Sequence, residues 1–131
     1  MRIGLLEDDV AIQELLLLVL EEEGYSVVNF PTADDCMKLL TITLPTALPI
    51  DLLIMDWRLG GHVLGTEIIH HIRTQSHLDA LPIILMTAAT ISDLEAVSHS
   101  RVSLLQKPFS VDEILLLIQR LVPSHSTLSS D

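Results

Sequence analysis

Aromatic residues are nearly missing from this sequence: one Trp, one Tyr and two Phe make up 3% of a chain that is 49% hydrophobic. A core drawn from such a composition is made of Leu, Ile and Val, which suits helices packed on a parallel sheet. Basic residues are scarce too. Seven Lys and Arg against eighteen Asp and Glu give a formal net charge of -11, which argues against direct nucleic-acid binding, because affinity for a phosphate backbone rests on Lys and Arg. Cys36 is the only cysteine, so an internal disulfide is excluded and a reduced, cytoplasmic setting is expected. It reads as a small buried residue of a helix and not as a reactive thiol. No signal-peptide pattern precedes Glu7-Asp8-Asp9, and the apolar run Leu15 to Leu20 is far shorter than the ~20 residues that span a bilayer. No membrane association is expected. With 131 residues the chain suits one core and not two.

What is present is an alternation of short apolar runs with helical periodicity. Ile3 to Leu6 reads as a buried strand that breaks off into Glu7, Asp8 and Asp9. Ile12, Leu15, Leu16, Val19 and Leu20 recur at the spacing of one helical face, with Gly24 as the C-terminal cap. Tyr25 to Phe30 is a second strand closed by Pro31, and Thr32 caps a helix through Met37, Leu39 and Leu40 with Asp34 and Asp35 in its first turn. Thr41 to Pro49 reads as a connection. Leu52 to Asp56 is a third strand, followed by a loop with Gly60 and Gly61 and by a helix from Thr66 to Thr74 that turns Ile68, Ile69 and Ile72 inward. Pro82 to Met86 is a fourth strand, ending at Thr87. Ser92-Asp93-Leu94-Glu95 has the capping-box form and predicts a short fourth helix. Val102 to Leu105 is the fifth strand, and Ser110-Val111-Asp112-Glu113 opens the last helix, through Ile114, Leu117, Ile118 and Leu121. After Pro123 the chain is polar, so 1–122 is expected to be one domain and 123–131 a polar tail or linker. The alternation predicts an α/β fold: a doubly wound five-stranded parallel sheet in the flavodoxin-like order 2-1-3-4-5, with helices on both faces.

In such a sheet ligands bind beyond the carboxyl ends of the strands. Four of the five predicted strands end there in a candidate functional group: Glu7-Asp8, Asp56, Thr87 and Lys107. Each alone has a plain explanation, a helix cap for Asp8 or Thr87 and a solvated charge for Lys107. Together they place three carboxylates in one crevice, where a hard cation such as Mg²⁺ would screen their repulsion. A carboxylate beside such an ion can attack a phosphoryl group, with the Lys107 ammonium and the Thr87 hydroxyl available to the phosphoryl oxygens.

Leu-Leu-Glu7-Asp8-Asp9, Leu-Leu-Ile-Met-Asp56, Ile-Ile-Leu-Met-Thr87-Ala88 and Lys107-Pro108-Phe109, in this order, resemble the receiver domain of the two-component response-regulator family over nearly all of Met1 to Val122. The resemblance implies a phosphorylation-dependent signalling switch and not an enzyme, since such a domain catalyses only its own phosphotransfer and dephosphorylation. It implies that Asp56 accepts a phosphoryl group from a histidine kinase or phosphotransfer protein. Asp8, Asp56 and the Arg58 backbone carbonyl would bind Mg²⁺, Glu7 would act through metal-bound water, and Thr87 and Lys107 would hold the phosphoryl oxygens. A cis Lys107-Pro108 bond is implied as well.

Three departures from the family pattern carry expectations of their own. Gly60 stands where a proline is usual and Gly65 falls one residue late, which indicates a one-residue loop insertion; the stretch between Thr87 and Lys107 is short; and the switch position, usually Tyr or Phe, is Leu104. A leucine can move in and out of a groove but has neither ring nor hydroxyl. The alternative function is a receiver-fold interaction module that signals without phosphorylation. A phosphatase of the haloacid-dehalogenase type would need an acid where Arg58 stands, and no G-x-G-x-x-G follows the first strand to bind a dinucleotide. His62, His70 and His71 lack metal-ligand spacing and read as solvated surface. Leu115 and Leu116 widen the apolar face of the last helix, so a homodimer through the fourth helix, fifth strand and fifth helix is the expected self-association.

Overall fold

Two strands, β3 (Leu52–Asp56) and β4 (Ile83–Thr87), are buried at every residue, as expected of central parallel strands covered on both sides. The computed structural model describes residues 1–30, 32–42, 50–57, 65–75, 78, 80–88 and 101–122. With β1 (Arg2–Leu6), β2 (Ser26–Phe30) and β5 (Val102–Gln106) they form one parallel sheet in the order β2-β1-β3-β4-β5. Four helices are described: α1 (Val10–Glu22), α2 (Ala33–Ile42), α3 (Gly65–Arg73) and α4 (Val111–Leu121).

Alternation along the strands sorts the core into two layers. Ile3, Leu5, Leu52, Ile54, Ile84 and Met86 face α1 and α4, where Leu16, Leu20, Ile114 and Ile118 meet them. On the other side Leu6, Leu53, Met55, Ile83 and Leu85 meet Cys36 and Leu40 of α2 and the three isoleucines of α3. Cys36 is fully buried, as its helical position predicts.

Local chemistry sets the helix ends. Asp9, not Asp8, caps α1: its Oδ1 accepts from the Ala11 and Ile12 amides at 3.0 and 3.2 Å. At the other end Gly24 takes φ +91°, its N–H donates to the Glu21 carbonyl, and the Tyr25 N–H reaches the Leu20 carbonyl. This paired closure needs a left-handed residue, which glycine supplies without a Cβ clash. Thr32 Oγ1 accepts from the Asp35 amide at 3.1 Å, and α4 opens on the complete Ser110/Glu113 capping box.

Several boundaries depart from the sequence reading. Leu15, assigned to the inward face of α1, is 49% exposed, and Val19 is only partly buried; Leu16 and Leu20 carry the contact, helped by Leu17. The run Leu15 to Leu20 is apolar all round, so periodicity could not choose the covered stripe. Thr41 and Ile42 extend α2 instead of starting the connection, and α3 begins at Gly65, one residue early. The predicted helix from Ser92, the Pro31 stop, the loop with Arg58, Gly60, Gly61 and His62, and the tail 123–131 lie outside the described residues. His70 and His71 are exposed. The Lys107-Pro108 bond is cis.

Candidate functional site

The strand register lines up the carboxyl ends of β1, β3, β4 and β5: Leu6 pairs with Met55, Asp56 with Met86 and Thr87 with Gln106. Glu7 and Lys107 each follow directly on a strand, while Asp56 and Thr87 are the last residues of theirs. The Lys107 amide donates to the Thr87 carbonyl at 2.7 Å and the Trp57 amide to the Met86 carbonyl at 2.8 Å, which continues the sheet hydrogen bonding past the tips.

Glu7, Asp56 and Thr87 are the buried polar residues here, and Asp8 is exposed at the rim. One carboxylate oxygen from each of Glu7, Asp8 and Asp56 lies within 4.8 Å of the others. Lys107 Nζ donates to Asp56 Oδ1 at 2.9 Å and stands 3.6 Å from Glu7 Oε1. Glu7 Oε2 accepts from the Asp9 amide at 3.1 Å, while Oε1 is buried without a hydrogen-bond partner. Burial raises the Glu7 pKa above the ordinary carboxylate value; the Asp9 amide opposes the shift, and the Asp56 charge adds to it. For Lys107 burial acts downward, but the hydrogen bond to Asp56 and the charges of Asp56 and Glu7 outweigh it, and its pKa is raised.

This oxygen-only donor set fits Mg²⁺. A buried acceptor without a donor, turned into a group of acids, is the arrangement a cation would satisfy. Lys107 supplies only part of the compensating charge.

The head of α3 is packed against the same tip. The Gly65 N–H donates to the Trp57 carbonyl, and a Cβ at Gly65 would stand 2.8 Å from both the Asp56 carbonyl oxygen and Leu85 Cδ1. A glycine is required at the observed position, one residue beyond the family's usual spacing. On the far edge Leu104 pairs with Leu85, is half-buried, and lines a crevice of about 280 Å³ with Leu105, Glu113, Leu116 and Leu117.

The structure brings the carboxylates of Glu7, Asp8 and Asp56 together with the Lys107 ammonium beside them, and sets Thr87 at the tip of the neighbouring strand β4; the Arg58 carbonyl lies outside the described residues. Sequence reasoning missed Gln13 of α1, whose Nε2 donates to Asn29 Oδ1 at 2.9 Å and to the Glu7 carbonyl at 3.4 Å. No spacing rule connects a helix to the second strand in this way, so only the fold reveals it.

The family model of the response regulator receiver domain matches residues 3–119. The phosphate regulon transcriptional regulatory protein PhoB of Rhizobium meliloti is 32% identical over 123 residues, which covers 92% of this chain and 52% of that protein. PhoB of Escherichia coli is 28% identical, covering 90% of this chain and 50% of its own length. The chain thus spans about half the length of these curated relatives. Among solved structures, the response regulator protein TrrA from Thermotoga maritima, in complex with Mg(2+)-BeF, superposes with a TM-score of 0.76 at 27% identity, covering 92% of this chain and 98% of that one. A response regulator receiver domain protein from Clostridium thermocellum has a TM-score of 0.79 at 18% identity, with coverage of 97% and 98%.

Proposed function

Since the chain belongs to the response regulator receiver domain family, we propose that it is a phosphorylation-dependent switch of a two-component system, accepting a phosphoryl group on Asp56. Receiver domains work with histidine kinases or phosphotransfer proteins, and one of these is the donor in this reading. The observation that carries it is the convergence of the Glu7, Asp8 and Asp56 oxygens within 4.8 Å, with Lys107 Nζ 2.9 Å from Asp56.

An Asp56 carboxylate oxygen attacks the phosphorus of a phosphohistidine. The new P–O bond forms as the P–N bond breaks, and the electron pair leaves on the imidazole nitrogen, which takes up a proton. Asp8, Asp56 and the Arg58 carbonyl would hold Mg²⁺, with Glu7 acting through metal-bound water; the Mg(2+)-BeF of the TrrA complex supports the same ion. When bound, the ion neutralises charge on the phosphoryl oxygens. Lys107 leaves its ion pair with Asp56 for the added phosphoryl charge, and the buried Thr87 hydroxyl donates to a phosphoryl oxygen.

The output runs from Thr87 to Leu104, which sits at the edge of the crevice between β5 and α4. Phosphorylation shifts the balance between two packings of this edge, and a second copy of the chain docks on the exposed Leu116 face. Residues 1–122 form the switch and 123–131 a tail or linker, in a cytoplasmic protein. Among the described residues no helix is long and apolar enough to cross a membrane.

Incubation with a small-molecule phosphodonor and Mg²⁺ tests the reading. One added phosphate is expected by mass spectrometry, absent in Asp56→Asn and in EDTA. No incorporation under any condition would leave the phosphorylation-independent interaction module instead.

A further inference from the structure

We propose that Gln13 is a positioning residue that sets the divalent-cation affinity of the site by holding the peptide between Glu7 and Asp8. The inference rests on the reading of the acidic cluster as a Mg²⁺ site. Alternation places Asn29 on the same face of β2 as Val27, the face covered by α1. Its partner in the sheet register is Leu5, so Asn29 lies beside the end of β1 where Glu7 leaves the strand. Gln13 belongs to the first turns of α1, with its own amide bonded to the Asp9 carbonyl at 2.9 Å. From there its NH₂ reaches back to two acceptors, Asn29 Oδ1 at 2.9 Å and the Glu7 carbonyl at 3.4 Å.

The Glu7 carbonyl decides which end of the Gln13 amide faces the strand tips. A backbone carbonyl can only accept, so the NH₂ end is turned inward, and the same group then meets Asn29 through that residue's Oδ1. That carbonyl belongs to the Glu7–Asp8 peptide plane, whose orientation sets where the two side chains flanking it leave the backbone. Glu7 is also anchored by its own side chain, through Oε2 on the Asp9 amide. Asp8 is exposed, and among the hydrogen bonds described none anchors its side chain, so the backbone is what holds it beside the cluster. Releasing the Glu7 carbonyl lets this plane swing, and the Asp8 oxygen no longer waits within reach of those of Glu7 and Asp56. Gln13 touches no reacting atom; it acts through backbone.

Calorimetric titration of the full chain with Mg²⁺, for wild type, Gln13→Met, Asn29→Ala and Asp8→Asn, tests this. Outer-sphere partners of a metal site change affinity by about tenfold or more, and Gln13→Met is expected to weaken Mg²⁺ roughly tenfold, with a smaller loss in the same direction for Asn29→Ala. Asn29 is exposed and Gln13 only half-buried, and methionine keeps the length of the glutamine side chain, so the urea midpoint in EDTA is expected to stay within error of wild type. In the metal-free protein the Asp8 amide resonance should move in both variants. Wild-type affinity in Gln13→Met, or a loss matched by an equal loss of metal-free stability, overturns the positioning role while leaving the metal site standing. A wild type that takes up no Mg²⁺, or an Asp8→Asn that binds as well as wild type, overturns the metal site and the inference with it.

Discussion

At Gly65 a hydrogen atom in place of a side chain lets α3 sit against the backbone of the Asp56 tip. Two of the atoms that a Cβ would meet, the Asp56 carbonyl oxygen and Trp57 Cα at 2.8 and 3.2 Å, are backbone and cannot turn aside. Gly65→Ala is therefore expected to destabilise by about 1–3 kcal/mol and to slow phosphorylation of Asp56, read by denaturant unfolding and a mass-spectrometric time course. Wild-type stability in that variant would mean that α3 backs away freely. Cys36 shows the opposite use of space. Burial pushes its thiol from 9.0 up to about 12, so the folded thiol stays protonated while the unfolded one ionises. The folded pKa is the raised one; the contribution to stability is therefore fully present below pH 9.0 and is lost as pH climbs toward about 12. Unfolding free energies of wild type and Cys36→Ala, compared below and above pH 9.0, should converge as the pH rises. A constant difference would refute the assignment.

At the scale of elements, side-chain hydrogen bonds join segments that their own sequences leave unconnected. Arg73, the last residue of α3, donates from Nη1 to the Leu78 carbonyl and from Nη2 to that of Leu81, both at 2.8 Å, and reaches the Arg101 carbonyl at 3.4 Å. One guanidinium thus ties the exit of α3 to the starts of β4 and β5. Charge-assisted bonds of this kind make Arg73→Met cost about 2 kcal/mol, measurable as a lower urea midpoint with the Mg²⁺ affinity unchanged, because the staple lies at the opposite end of the sheet from the acids. The Ser110/Glu113 box at the head of α4 predicts a loss of about 1 kcal/mol for Ser110→Ala. Here sequence and structure agree because capping is local: donor and acceptor are three residues apart. The α1 stripe was harder to read, since Leu15 and Leu18 are as apolar as Leu16 yet 49% and 58% exposed.

For the whole molecule, the edge formed by β5 and α4 is the surface that offers itself to a partner. Leu116 is 57% exposed and Val111 39%, while Leu115 and Leu117 are half-buried against the core, so the apolar face of α4 is wider than its core contact. Phosphorylation or beryllofluoride is expected to convert monomer to dimer in sedimentation velocity, and Leu116→Glu to remain monomeric without loss of stability. Monomers in every sample would exclude the second copy and leave a different protein as the partner of this face.

The central strands and the residues at their tips were legible in the chain because each depends on short-range pattern: apolar runs buried on both sides, then a polar residue at the end. The convergence of Glu7, Asp8, Asp56 and Lys107 followed once the order of strands was assumed, since parallel strands deliver all their carboxyl ends to one side. Tertiary structure alone decided which acids face one another in the cluster, which leucines of an all-apolar run are covered, and that Gln13 meets Asn29 and Arg73 the Arg101 carbonyl. Those choices are made by groups far apart in sequence, whose distance is set by packing and not by any spacing along the chain.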